Sequence, residues 1–288
     1  MVEGMLSGKI ALITGAASGI GRVAASVFVR HGAKVVIADI QEEAGEATAR
    51  QIREAGGDAQ FLRADVTRES HVEALVREVV ARHGRLDCAF NNAGIDGPIG
   101  LTADYATESW DRVVEINLKG VWLCMRHEIP QMLAQGGGAI VNMASILGAV
   151  GVSNMPAYTA AKHGVLGVTR VAALEYATKG VRINGLCPGI IRTPLIADLI
   201  QQGMLSEPEM VSLMPIGRLG RPEEIGEAAA RTARRCWSAT RCSWTAATPL
   251  ASLQEWAHEV GLLALAESPR QSHVNRTRPL AIAAKNRL

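Results

Sequence analysis

Short apolar runs alternate along the chain with longer stretches in which apolar residues recur at helical spacing. The short runs, near Ile10, Val35, Gln60, Cys88, Ile140 and Val181, are rich in β-branched residues and predict strands. The longer stretches predict helices over 20–30, 42–54, 69–82, 107–132 and 158–178. Strand and helix in strict alternation imply an α/β fold, a doubly wound parallel sheet covered on both faces. The stretch 194–219 interrupts that rhythm. It contains Gln201-Gln-Gly-Met-Leu-Ser-Glu-Pro208 and predicts a mobile lid over a substrate. Met204, Leu205, Met210 and Met214 either line an apolar pocket there or pack the lid to the body.

The first strand leads into Thr14-Gly-Ala-Ala-Ser-Gly-Ile-Gly21, and an apolar-periodic stretch follows. Strand, glycine turn and helix start is the context in which a backbone cradles phosphate. Gly15, Gly19 and Gly21 let the chain approach a pyrophosphate, with Ser18 and Ile20 at the helix start. The second strand ends in Asp39, where a carboxylate can accept hydrogen bonds from an adenosine ribose. Together these predict a Rossmann-like, dinucleotide-binding single domain. Asp39 repels a 2′-phosphate, and its neighbours Ser18, Ile40 and Gln41 offer no cation to pair with one. The expected cofactor is therefore NAD rather than NADP.

Tyr158 and Lys162 stand four residues apart on a predicted helix, which puts phenol and ammonium on one face. A fixed ammonium favours the phenolate, so Lys162 is expected to lower the Tyr158 pKa and make it a proton donor and acceptor. Ser145, upstream, can hydrogen-bond a substrate oxygen; its plain alternative is a turn cap. Asn117, in Val113-Val-Glu-Ile-Asn-Leu-Lys119, either holds a proton-relaying water or satisfies a backbone group.

The glycine turn, Asn91-Asn-Ala-Gly94, Ser145, Tyr158-x-x-x-Lys162 and Pro188-Gly-Ile-Ile-Arg-Thr193 together resemble the short-chain dehydrogenase/reductase family, over about 6–228. The resemblance implies a tetrad of Asn117, Ser145, Tyr158 and Lys162. It implies that Asp65 and Val66 flank the adenine and that Asn92, Ala93 and Gly94 border the cofactor. Pro188, Gly189, Ile191 and Thr193 would belong to the loop at the nicotinamide, and Tyr158 and Lys162 would also touch the cofactor. The implied reaction is hydride transfer between NAD(H) and a secondary alcohol or ketone of a small or cyclic substrate. The alternatives are an NADPH-dependent 3-oxoacyl-carrier-protein reductase, disfavoured by Asp39, and an inactive nicotinamide-binding sensor. Retention of the whole tetrad argues against the sensor.

Composition excludes rival chemistries. Cys88, Cys124, Cys187, Cys236 and Cys242 are scattered, without metal-ligand spacing, and no metal is expected. The first three read as small core residues, and His163 as a surface or pocket residue. No serine occupies a Gly-x-Ser-x-Gly elbow. A net charge of +2 suggests no nucleic-acid partner. No membrane span or signal peptide is expected, and unpaired thiols suit the cytoplasm.

Beyond 228 the pattern changes. From Arg231 onward there are nine Lys/Arg against three Asp/Glu, against 21 and 25 in the remainder. Three of the five tryptophans fall there, and Gly261 is the only glycine after Gly226. Back-translated in G/C-rich codons and read one base earlier, the stretch beginning at Cys236 gives Leu-Val-Gly-Asp-Ala-Leu-Leu-Val-Asp-Gly-Gly-Tyr-Thr. That is the final strand and turn the family resemblance calls for. Residues 229–288 are thus expected to be a frameshifted, poorly ordered basic tail, with the final strand missing. The homotetramer implied by the resemblance is placed in doubt by such a tail.

Overall fold

The computed structural model describes residues 4–234, except residues 202 and 204 and the side chain of Leu195. Its strands are β1 (Ile10–Thr14), β2 (Lys34–Asp39), β3 (Ala59–Arg63), β4 (Cys88–Asn91), β5 (Gly138–Met143) and β6 (Val181–Leu186). All pair in parallel in the order β3-β2-β1-β4-β5-β6. Chain direction across the sheet reverses between β1 and β4, and such a switch point opens a crevice at the strand C-termini. Each expected strand is present. Among the described residues, no strand pairs with the outer edge of β6.

Residues alternate between the two faces of each strand. Ala11, Ile13, Val35, Ile37 and Phe90 point to a core shared with α1 (Gly19–Arg30) and α9 (Pro222–Arg234). A methyl at Gly226 of α9 would come within 2.9 Å of Val27 and 3.2 Å of the Ala24 Cα, so glycine lets these two helices touch. Leu12, Val36, Ala89 and Ile140 face the opposite core. That core is filled by α3 (Glu69–His83), α5 (Gly120–Ala134) and α6 (Pro156–Tyr176). Next to β2 and β3 lies α2 (Glu42–Glu54).

A polar seam crosses the second core. Asn91 Nδ2 donates to Glu128 Oε2 and to Asn142 Oδ1, both at 3.0 Å, and Asn142 Nδ2 donates to Thr169 Oγ1 at 2.9 Å. Glu128 is fully buried, and its other oxygen has no hydrogen-bond partner among the described residues. Burial pushes its carboxyl up to about 7, against the opposing hydrogen bond from Asn91.

Three expected boundaries differ. The helix expected over 107–132 is α4 (Thr107–Val114), a π-helical turn at Glu115–Lys119, and then α5. A single wide turn leaves the apolar spacing nearly intact, so periodicity does not reveal it. The lid segment folds as two short helices, α7 (Pro194–Gln201) and α8 (Glu207–Ser212), the latter capped by Ser206 Oγ accepting from the Glu209 amide. Finally, α9 runs to Arg234, past the expected limit at 228. Ala229, Ala230 and Ala233 are buried there, and Arg182 of β6 donates to the carbonyls of Thr232 and Ala233. The segment expected to be frameshifted, with Cys236 and Cys242, lies outside the described residues, as does Met204.

Candidate active site

A cleft of about 410 Å³ runs over the C-terminal ends of the strands. At one end, the glycine turn joins β1 to α1. Gly15 has φ +63°, and a Cβ there would sit 2.7 Å from the Ala93 Cα. Gly21 would press a Cβ onto the Gly15 carbonyl, whereas nothing lies within 4 Å of one built on Gly19. The turn is thus closed toward the protein and open toward the cleft at the α1 N-terminus, as a phosphate cradle requires. Thr14 Oγ1 accepts from the amides of Asn92 (3.1 Å) and Ala93 (3.2 Å). Asn92 Nδ2 donates to the carbonyls of Thr14 and Gly15, both at 3.0 Å. The glycine turn and the loop after β4 are therefore one hydrogen-bonded unit.

Asp39 closes this end. Its Oδ2 accepts from the Ala17 amide and its Oδ1 from the Gln41 amide, both at 3.0 Å. A carboxylate has about four acceptor sites, so each oxygen keeps capacity for a further donor. Asp65 accepts from the Thr67 amide (3.0 Å) and hydroxyl (2.7 Å) through one oxygen. Burial raises its pKa, but the Thr67 bonds and the Arg68 charge outweigh that and hold it below the usual carboxylate range.

At the other end α6 presents Tyr158 and Lys162, one turn apart. Lys162 is buried; its Nζ donates to the Met143 carbonyl at 2.8 Å and lies 5.4 Å from the Tyr158 ring centroid. Burial pulls the ammonium down to about 8, with Asp96 and Cys187 opposing. The expected lowering of Tyr158 is not found. Burial pushes its phenol well above the ordinary value, the Asp96 carboxylate adds to this, and a hydrogen bond with Ser145 only partly opposes it. Sequence spacing supplied the neighbouring cation but not the loss of water, and the loss of water wins. Ser145 fills the plainer of its two expected roles: its Oγ caps the turn Ile146–Gly148 by accepting from the Leu147 amide at 3.2 Å, and its side chain also hydrogen-bonds Tyr158.

Asn117 sits at the centre of the π-turn, completely buried. Its Oδ1 accepts from the Ile95 amide at 2.8 Å and its Nδ2 donates to the Ile95 carbonyl at 2.7 Å. Its amide therefore clamps a backbone, the plainer of its two expected roles. Gly94 is required beside it, since a Cβ there would lie 2.9 Å from Asn117 Oδ1.

The cleft brings together Gly15, Ser18, Gly19, Ile20, Asp39, Asp65, Val66, Asn92, Ala93, Gly94, Tyr158, Lys162 and Thr193. Gly21, Asn117, Ser145, Pro188, Gly189 and Ile191 stand behind that lining. The Pro188 carbonyl accepts from the Ile146 amide at 2.9 Å, and Ile191 bridges to Gly220. Gly189 makes room for Met214, whose Cε would be 2.6 Å from a Cβ there. Met214 thus packs the lid to the body, and neither Leu205 nor Met210 lines the cleft. His163 is on the surface, its Nδ1 3.0 Å from the Thr159 carbonyl. Burial lifts the Cys88 thiol up to about 12 and Cys124 well above its ordinary value, as fits inert core thiols. Sequence reasoning missed Asp96 and Arg112, which line the cleft from a Gly/Pro-rich loop and from α4.

A parallel doubly wound sheet, with a phosphate cradle and a Ser-Tyr-Lys cluster at opposite ends of one cleft, defines an α/β oxidoreductase of the dinucleotide-binding kind. The short chain dehydrogenase family model matches residues 9–203, and the chain belongs to that family. The chain is 46% identical to cyclohexanol dehydrogenase of Acinetobacter sp. (strain SE19), over 80% of this chain and 89% of that protein. It is also 46% identical to cis-4-hydroxycyclohexanecarboxylate dehydrogenase of Sinomonas cyclohexanicum, over 77% and 88%. Among solved structures, levodione reductase superposes with a TM-score of 0.75 at 37% identity, covering 79% of this chain and 91% of that one. As a family member the chain acts on CH–OH groups or their ketones with a nicotinamide cofactor. Among the described residues, no helix is long and apolar enough to cross a membrane and no cluster of side chains is suited to a metal ion.

Proposed function

We propose that the protein is an NAD-preferring dehydrogenase of secondary ring alcohols, or reductase of the matching ketones, with Tyr158 as general acid and base. The observation that carries this reading is the shared cleft, with the cradle at Gly15 and Gly19 at one end and Tyr158 and Lys162 at the other. The names of the cyclohexanol and hydroxycyclohexanecarboxylate dehydrogenases support a ring substrate. Bound there, the nicotinamide ring supplies hydride exchange. In the oxidation direction Tyr158 takes the hydroxyl proton, while Ser145 orients the same oxygen. Lys162 sets the local charge and would donate to the ribose hydroxyls of a bound nicotinamide cofactor. Asn117 fixes the loop at Ile95. Asp39, with its spare acceptor capacity and the neutral Ser18, Ile40 and Gln41 around it, supports NAD over NADP.

Titrating the chain with NADH and with NADPH, followed by nicotinamide fluorescence, tests the cofactor. NADH is expected to bind at least about fivefold tighter, because an anion beside a 2′-phosphate costs of order 1 kcal/mol or more. NADPH binding as tightly as NADH would refute the preference. Turnover of cyclohexanol and its ketone, read at 340 nm, tests the substrate class.

Trp122 on α5 and Val171 and Leu174 on α6 are exposed large apolar residues on neighbouring helices, which supports homo-oligomer formation. A monomeric mass in light scattering would overturn that. The tail at 229–288 we read as a frameshift product, and a gene in which no single-base insertion or deletion near codon 228 restores the alternative ending would refute it.

A further inference from the structure

Asp96 has no part in the chemistry assigned to Asn117, Ser145, Tyr158 and Lys162. It follows Ile95, whose amide and carbonyl are both held by the buried Asn117, so the side chain projects from a fixed point of the loop. It lines the same cleft as Tyr158 and Lys162 and makes no hydrogen bond or ion pair among the described residues. Its carboxylate nevertheless acts electrostatically on both catalytic groups. The other ionisable groups in and around the cleft are few. Arg112 lines it from α4, Cys187 at the end of β6 acts on Lys162, and Asp39 and Asp65 stand at the glycine-turn end.

We propose that Asp96 is a positioning residue whose carboxylate favours the charge on Lys162 and the proton on Tyr158. Burial works against charge on Lys162, which would otherwise lose its proton near neutral pH. A carboxylate nearby favours the ammonium and disfavours a phenolate, so it raises both proton affinities. Asp96 itself sits above the usual carboxylate range, through enclosure by the cleft and against the pull of Lys162. A ring substrate approaching Tyr158 would remove water from all three groups and strengthen their mutual effect. Asp96 acts through Lys162 and Tyr158 and need not touch the reacting atoms.

The test uses the full chain without cofactor or substrate. The rate of Lys162 acetylation by acetic anhydride is followed against pH by peptide mass spectrometry, in the parent and in Asp96→Asn. Removing the charge is expected to lower the Lys162 midpoint by about one pH unit, a tenfold loss in proton affinity; Asp96→Glu should restore it. An unchanged midpoint in a folded Asp96→Asn variant overturns the proposal. The acid limb of kcat/KM for a ring alcohol should also move to lower pH in Asp96→Asn; that measurement rests on the proposed function. A shifted Lys162 midpoint with no ring alcohol turned over refutes the substrate class and leaves the role of Asp96 standing. An unshifted midpoint with active ring-alcohol turnover does the reverse.

Discussion

At the glycine-turn end of the cleft, Asp39 and Asp65 are held by backbone amides and the Thr67 hydroxyl, whereas at the tyrosine end the ionisable groups act on one another. The first end is a finished receptor, its loops cross-linked through Thr14 and Asn92 before any ligand arrives. The second is a charge balance among Tyr158, Lys162 and Asp96 that responds to water and pH. Recognition is therefore written in geometry, and chemistry in electrostatics. Substitutions at the two ends should fail in different ways.

The largest expected effect is at the tyrosine end. Tyr158→Phe keeps the ring and removes the proton, so kcat should fall about 10²–10⁴-fold, while the NADH dissociation constant changes by less than about threefold. Steady-state kinetics paired with fluorescence titration checks this, and retained turnover would remove Tyr158 from its role. The reverse pattern is expected at the other end. Gly15→Val forces a side chain onto the Ala93 backbone at φ +63°. That should cost about 1–3 kcal/mol of stability and weaken NADH binding at least tenfold by ~1.4 kcal/mol arithmetic. Thermal melts with and without NADH separate the two losses.

A further effect lies outside the cleft and serves as a reference for both ends. Glu128 has its carboxyl raised to about 7 in the folded protein, from an ordinary value of 4.5. The folded state therefore binds the proton more tightly. Its stabilising contribution is complete below about 4.5 and is lost as pH rises through about 7. Urea melts across that window should show stability falling by roughly 3–3.5 kcal/mol at most, and Glu128→Gln should flatten the slope. A slope unchanged by the substitution would mean that Glu128 is already ionised in the folded core. Because Asn91 precedes Asn92, any accompanying change in NADH affinity would show that this seam reaches the cradle.

The six strands were legible because each is a short β-branched run at regular spacing, and parallel order follows from the helices between them. The cradle was legible because Gly15, Gly19, Gly21 and Asp39 depend on local backbone shape and chain distance, both of which a sequence carries. The helix break at Asn117 was not, since one extra residue in a turn barely disturbs apolar periodicity. Nor was Asp96, a lone acid in a loop with three glycines and one proline. The sign of the Tyr158 shift was missed for a related reason. Spacing brings Lys162 alongside, but the dehydration that dominates comes from residues distant in sequence.

One consequence of the wide turn at Glu115–Lys119 concerns engineering. A regular helix advances about 100° per residue, so the extra residue in this turn works as an indexing step between α4 and α5. Deleting one residue there would yield a smoother, intrinsically better helix. It would also remove the bulge that carries the Asn117 amide onto the Ile95 backbone. Consensus or propensity-guided stabilisation would favour such a repair, and the enzyme would gain a sturdier rod while losing the alignment of its loop.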